Sequence, residues 1–122
     1  MKILIVDDSE AMLRVLRVLL DQIGFQDVDE AGDGTVALEM LQGGDYGLIV
    51  SDWSMEPMSG IELLRAVRAE PAWRDLPFIM VTAESRRENL EEARQAGVSE
   101  YVLKPFDAPA LQKTIARVLD GG

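Results

Sequence analysis

Short apolar runs alternate along this chain with longer stretches in which apolar residues recur every three or four positions. Ile3–Val6, Leu48–Val50 with Ser51, Phe78–Val81 and Tyr101–Leu103 are continuous runs, the pattern of strands covered on both faces. Val28, flanked by acids, predicts a weaker strand at a sheet edge. The first helix shows a stripe of Met12, Val15, Leu16, Leu19, Leu20 and Ile23 and stops at Gly24. Ala31-Gly32-Asp33-Gly34 reads as a turn, and Thr35–Leu41 as a short helix stopped by Gly43-Gly44. Ser59 and Glu62 spell a capping box for a helix that faces Ile61, Leu64 and Val67 inward and stops at Pro71. Ser85 and Glu88 spell a second box, for a helix running to about Ala96 and Gly97 with one large aliphatic, Leu90. Asp107 opens the last helix, with Pro109 tolerated in its first turn and Leu111, Ile115, Val118 and Leu119 facing in.

Strand followed by helix thus repeats five times. Each crossover is long enough to return the chain to the same end of a parallel sheet. The predicted fold class is α/β, a doubly wound five-stranded parallel sheet, with any site outside the carboxyl ends of the strands. Four strands end there in polar residues: Asp7-Asp8, Asp52, Thr82 and Lys104-Pro105.

The 122 residues suit one domain, expected to span residues 1–122, and a hydrophobic fraction of 48% supplies one core. No apolar run approaches the length of a membrane span, and the start is too short for a secretory signal. A cytoplasmic protein without membrane insertion is the expectation. Cysteine and histidine are both absent, which removes disulfides, thiolate metal sites, the usual zinc ligands and a Ser-His triad. The net charge of −10 repels nucleic acid and favours basic partner surfaces.

Taken singly, the polar strand ends have ordinary readings. Asp7 or Asp8 could cap the first helix, as could Ser9. Asp52 could form a turn, Thr82 reflect β propensity, and Pro105 stop a strand. Their coincidence at one sheet edge points to chemistry. Three carboxylates in one crevice raise each other's cost of ionisation, and a hard divalent cation such as Mg2+ relieves it through oxygen ligands. Asp52, after the central strand, is a candidate nucleophile toward a phosphoryl group. Lys104 would pair with the phosphoryl oxygens as a point charge, and Thr82 would donate a hydrogen bond to another. A cis Lys104–Pro105 bond would aim the ammonium into the site.

Asp7-Asp8, Asp52, Thr82-Ala83 and Lys104-Pro105-Phe106 together resemble the receiver domain of two-component response regulators, over Lys2 to about Leu119. Asp52-Trp53-Ser54-Met55 and Glu88-Asn89-Leu90 through Gln95-Ala96-Gly97 look particularly like its single-domain chemotaxis members. The resemblance implies the flavodoxin-like strand order 2-1-3-4-5. It implies that Asp52 accepts a phosphoryl group from a sensor histidine kinase or phosphotransfer protein. It also implies that Asp7, Asp8, Asp52 and the Ser54 backbone carbonyl hold Mg2+. Thr82 and Tyr101 would be the switch residues, Ser54 and Glu84 would tune phosphoryl lifetime, and the face 85–119 would bind a downstream effector. The protein would be a monomer and not an enzyme, assisting only its own phosphorylation and dephosphorylation. One departure stands out: the family often has proline where Glu56 stands, and here proline follows at Pro57, which predicts a differently shaped loop.

Three other readings compete. A phosphorelay intermediate, or the receiver part of a longer regulator, keeps the site and changes the setting. A phosphatase of the haloacid dehalogenase type also forms an aspartyl-phosphate, but it resembles Asp-x-Asp-x-Thr, and Asp7-Asp8-Ser9-Glu10-Ala11 fails that pattern. A flavodoxin-like flavin binder needs a Ser/Thr-rich phosphate loop where this chain has adjacent acids.

Overall fold

A computed structural model describes residues 1–83 and 86–121. Five parallel strands, β1 (Ile3–Val6), β2 (Val28–Ala31), β3 (Leu48–Asp52), β4 (Phe78–Thr82) and β5 (Glu100–Leu103), lie in the order β2-β1-β3-β4-β5. The helices between and after them are α1 (Glu10–Gln22), α2 (Gly34–Gly43), α3 (Gly60–Ala69), α4 (Arg87–Ala96) and α5 (Ala108–Gly121). A 3₁₀ turn, Pro71–Trp73, follows α3. The predicted fold class and strand order both hold, with the Val28 strand at an edge.

Side-chain alternation in the strands divides the core in two. Ile3, Ile5, Leu48, Val50, Ile79 and Val81 meet α1 and α5 on one face. Leu4, Val6, Ile49, Phe78 and Met80 meet the layer of α2, α3 and α4 on the other. Burying both faces explains why β1, β3 and β4 carry no exposed residue.

Among the described residues, four of the five helices carry a side-chain cap. Ser9 caps α1 by accepting from the Met12 N–H at 3.2 Å. Asp33 caps α2 through the Thr35 and Val36 N–H groups. The Ser59–Glu62 capping box is complete, and Asp107 accepts from the Ala110 N–H at 3.0 Å. The box expected at Ser85 begins outside the described residues; α4 itself starts after Arg86, with no side-chain cap among the described residues.

Two inward assignments are corrected. Val15 is 47% exposed, because α1 turns Leu13, Leu16 and Leu20 to the sheet and leaves Val15 at the helix margin. Leu119 is 37% exposed: it sits in the last turn of α5, past Ile115 and the half-buried Val118.

Candidate functional site

Parallel pairing brings the polar strand ends together. Val6 lies opposite Ser51, Asp52 opposite Val81, and Thr82 opposite Leu103, so Asp7, Asp52, Thr82 and Lys104 leave the sheet along one edge. Backbone bonds continue the ladder past the strand ends: Asp7 N–H to the Ala31 carbonyl at 3.1 Å, Trp53 N–H to that of Val81 at 3.1 Å, and Lys104 N–H to that of Thr82 at 2.8 Å. The sheet therefore fixes the backbone at Asp7, Asp52, Thr82 and Lys104.

One carboxylate oxygen from each of Asp7, Asp8 and Asp52 lies within 4.8 Å of the other two. Asp7 and Asp52 are buried, at 2% and 7% exposure, while Asp8 is exposed. Asp7 Oδ1 accepts the Ser9 N–H at 2.9 Å. Asp7 Oδ2, in contrast, is a buried side-chain oxygen with no hydrogen-bond partner among the described residues. Such an atom is costly to leave unmatched, and a cation held between the three carboxylates matches it. Because Ser9 caps α1, both aspartates are free of the capping role the sequence also allowed. The donor set is all oxygen and suits a hard ion such as magnesium.

Burial is the main cause that pushes the Asp7 carboxyl above its ordinary pKa. The Ser9 N–H opposes this, the Asp52 and Asp8 charges add to it, and Lys104 works against it. Lys104 Nζ donates to Asp52 Oδ1 at 3.1 Å and is itself partly buried. Thr82, at 3% exposure, ends the strand between those bearing Asp52 and Lys104. Beside Asp8, the loop Trp53–Glu56 and Ser59 line an open cavity of about 430 Å³, which includes Ser54. The arrangement offers a buried carboxylate with a pinned ammonium against it, beside an open cavity.

The Lys104–Pro105 bond is cis, as expected from the sequence, and so is Glu56–Pro57, in the loop whose proline is displaced. Tyr101 is half-buried on β5, packed against the core on the α4 side of the sheet. Glu84 lies outside the described residues. Sequence reasoning passed over Ser51, whose buried hydroxyl donates to the Asp52 carbonyl at 2.9 Å. A serine interrupting an apolar strand was the available signal. It also passed over Gly60, whose N–H donates to the Trp53 carbonyl at 2.8 Å; a glycine directly after a capping serine was the hint.

Comparisons with known proteins show what the chain as a whole is similar to. The family model described as response regulator receiver domain matches residues 3–116. The chain is 50% identical to chemotaxis protein CheY of Pseudomonas aeruginosa over 120 residues, covering 98% of this chain and 97% of that one. It is 46% identical to chemotaxis protein CheY-3 of Vibrio cholerae, covering 98% and 92%. The solved structure of Vibrio cholerae chemotaxis protein CheY4 superposes with a TM-score of 0.89 at 34% identity, covering 96% of this chain and 97% of that one.

Proposed function

The chain belongs to the response regulator receiver domain family, and from that premise we propose that Asp52 is its phosphoacceptor in a two-component system serving chemotaxis. The carrying observation is the Asp52 carboxylate itself, buried at the end of the central strand, 3.1 Å from the Lys104 ammonium and within reach of Asp7 and Asp8.

An Asp52 oxygen attacks the phosphorus of a phosphohistidine on a sensor kinase or phosphotransfer protein. The new bond is O–P, the N–P bond breaks, and the departing imidazole nitrogen takes up a proton. Asp7, Asp8, Asp52 and the Ser54 backbone carbonyl would hold Mg2+, which when bound supplies positive charge against the phosphoryl oxygens and the clustered carboxylates. Lys104 exchanges its bond to Asp52 for one to a phosphoryl oxygen, and Thr82 donates to another. The strand ends keep these groups in place before the donor arrives, so little reorganisation accompanies transfer.

Thr82 and Tyr101 are the proposed switch: Thr82 moves toward the phosphoryl group and Tyr101 turns into the space released. The α4–β5–α5 face then changes shape for an effector. Ser54, exposed beside the cavity, and Glu84 are the proposed gates on the water that ends the signal. The chain acts as a monomer in the cytoplasm and turns over no external substrate. No helix among the described residues is long and apolar enough to cross a membrane.

Acetyl phosphate with magnesium, followed by intact-mass measurement, tests the assignment. Wild type should gain one phosphoryl group and Asp52→Asn none. An adduct of wild-type yield on Asp52→Asn would refute it.

A further inference from the structure

We propose that Gly60 is a positioning residue for the phosphoacceptor, acting through the absence of a side chain; this rests on the receiver reading above. Gly60 is the buried first residue of α3. Its N–H is tied to the Trp53 carbonyl at 2.8 Å, so the first turn of α3 lies directly over the Asp52–Trp53 peptide. A Cβ at this position would fall well inside contact distance of the Asp52 carbonyl oxygen, 2.9 Å from Trp53 Cα and 2.8 Å from Met80 Sδ. The Met80 sulfur can swing aside. The other two atoms are backbone, and they carry the phosphoacceptor and the start of the loop that reaches Ser54.

Close contacts at other glycines are of a different kind. A Cβ on Gly34 would meet the Met58 side chain, and one on Gly47 the Met1 side chain, each a flexible thioether. Only at Gly60, among the described glycines, does the obstruction include the backbone of a site residue.

Neither wall of this contact yields easily. α3 is fixed by its complete capping box and by buried Ile61, Leu63, Leu64 and Val67. On the other side, the Asp52 carbonyl accepts the Ser51 hydroxyl and Trp53 N–H is bonded to Val81. Adding one methyl group therefore drives the Asp52–Trp53 peptide away from the helix. The Asp52 carboxylate then moves relative to Asp7 and Lys104, which other strands hold still. Misplacing a group that supports a metal site weakens affinity by about tenfold to a hundredfold, and reacting groups are comparably sensitive to small displacements.

The test compares wild type, Gly60→Ala, Met80→Val and the double variant by three measurements. These are the magnesium dissociation constant by calorimetry, the rate of phosphoryl uptake from acetyl phosphate, and the urea midpoint. Gly60→Ala should weaken magnesium about tenfold or more and slow uptake comparably, and Met80→Val should not restore either. A merely structural glycine would lower the urea midpoint and leave the magnesium affinity of the folded protein unchanged, which would overturn the proposal. Recovery in the double variant would also overturn it, by placing the effect in apolar crowding. If Gly60→Ala does not fold, Glu62→Ala decides, since it loosens the first turn of α3 from an exposed position. Severalfold weaker magnesium binding then supports the role, and unchanged binding overturns it. A wild type that neither binds magnesium nor takes up phosphoryl overturns the receiver reading, and the role of Gly60 with it.

Discussion

Asp7 is where the residue scale shows most. Its raised pKa means that the folded protein holds the Asp7 proton more tightly than the unfolded chain does. Between the unfolded value, near 3.8, and the higher folded value, the native state binds more protons, so stability falls as pH rises through that window. Above it, the ionised carboxylate is a standing cost in metal-free protein. Asp7→Asn should therefore be more stable than wild type in a chelator at neutral pH, with a flatter decline from about pH 4 upward; urea unfolding across that range measures both. The same variant should lose most of its response to magnesium. Lys104 gives a second residue-scale expectation. Its ammonium reaches Asp52 Oδ1 at 3.1 Å as a point donor, and a guanidinium is broader and planar. Lys104→Arg should still bind beryllofluoride, but with a blunted rise in affinity for an activation-dependent partner, read by calorimetry with and without the mimic. Both residues were legible in the sequence, because a polar residue ending an apolar run needs no packing information to be noticed. Gly60 and Ser51 were not, since their roles depend on which atoms α3 and the Asp52 carbonyl approach.

Among the elements, α4 is held least. Its one fully buried residue is Ala93, whereas α1 buries three leucines and α3 buries Ile61, Leu63, Leu64 and Val67. Burial of one large aliphatic contributes roughly 1.5–3 kcal/mol, and the one such residue in α4, Leu90, is only half-buried. Its two ends also differ. Among the described residues, the N-terminal end has no side-chain cap. Toward the C-terminal end, Arg65 pairs with Glu92 at 2.7 Å and the Arg68 guanidinium donates to the Gly97 carbonyl at 2.9 Å and that of Leu76 at 2.7 Å. Amide exchange should thus be faster in α4 than in α1, fastest in its first turn, and should slow with beryllofluoride. Protection equal to that of α1 and indifferent to the mimic would remove α4 from the switch. The low apolar content was visible in the sequence. The anchoring by Arg68 was not, because its partners lie up to 31 residues away in the chain. Helix phase was legible only approximately: a stripe of spaced apolar residues admits both Leu13 and Val15, and contact with the sheet selects Leu13.

For the whole molecule, the relevant quantity is the coupling between site and fold. A ligand that binds only the native state adds about 2.7 kcal/mol at a hundredfold excess over its Kd. Saturating magnesium should raise wild-type stability by about 1–3 kcal/mol and that of Asp8→Ala by much less; thermal melts with and without the metal measure this. An unresponsive wild type would count against the metal site. Alternation of strand and helix was enough to predict the architecture and the edge that carries the site. Strand order came from the family resemblance, because pairing between distant strands leaves no mark in local periodicity.

The site draws on strand ends spread from Asp7 to Lys104, and this has a consequence during synthesis. A growing chain displays Asp52 on the ribosome well before Lys104 has been made. Until β5 docks beside β4, the carboxylate lacks its ammonium, and before β4 is in place it lacks Thr82 as well. On the proposed role of Asp52, incomplete chains are therefore poor phosphoryl acceptors, and the form that draws on a kinase is the finished, folded protein.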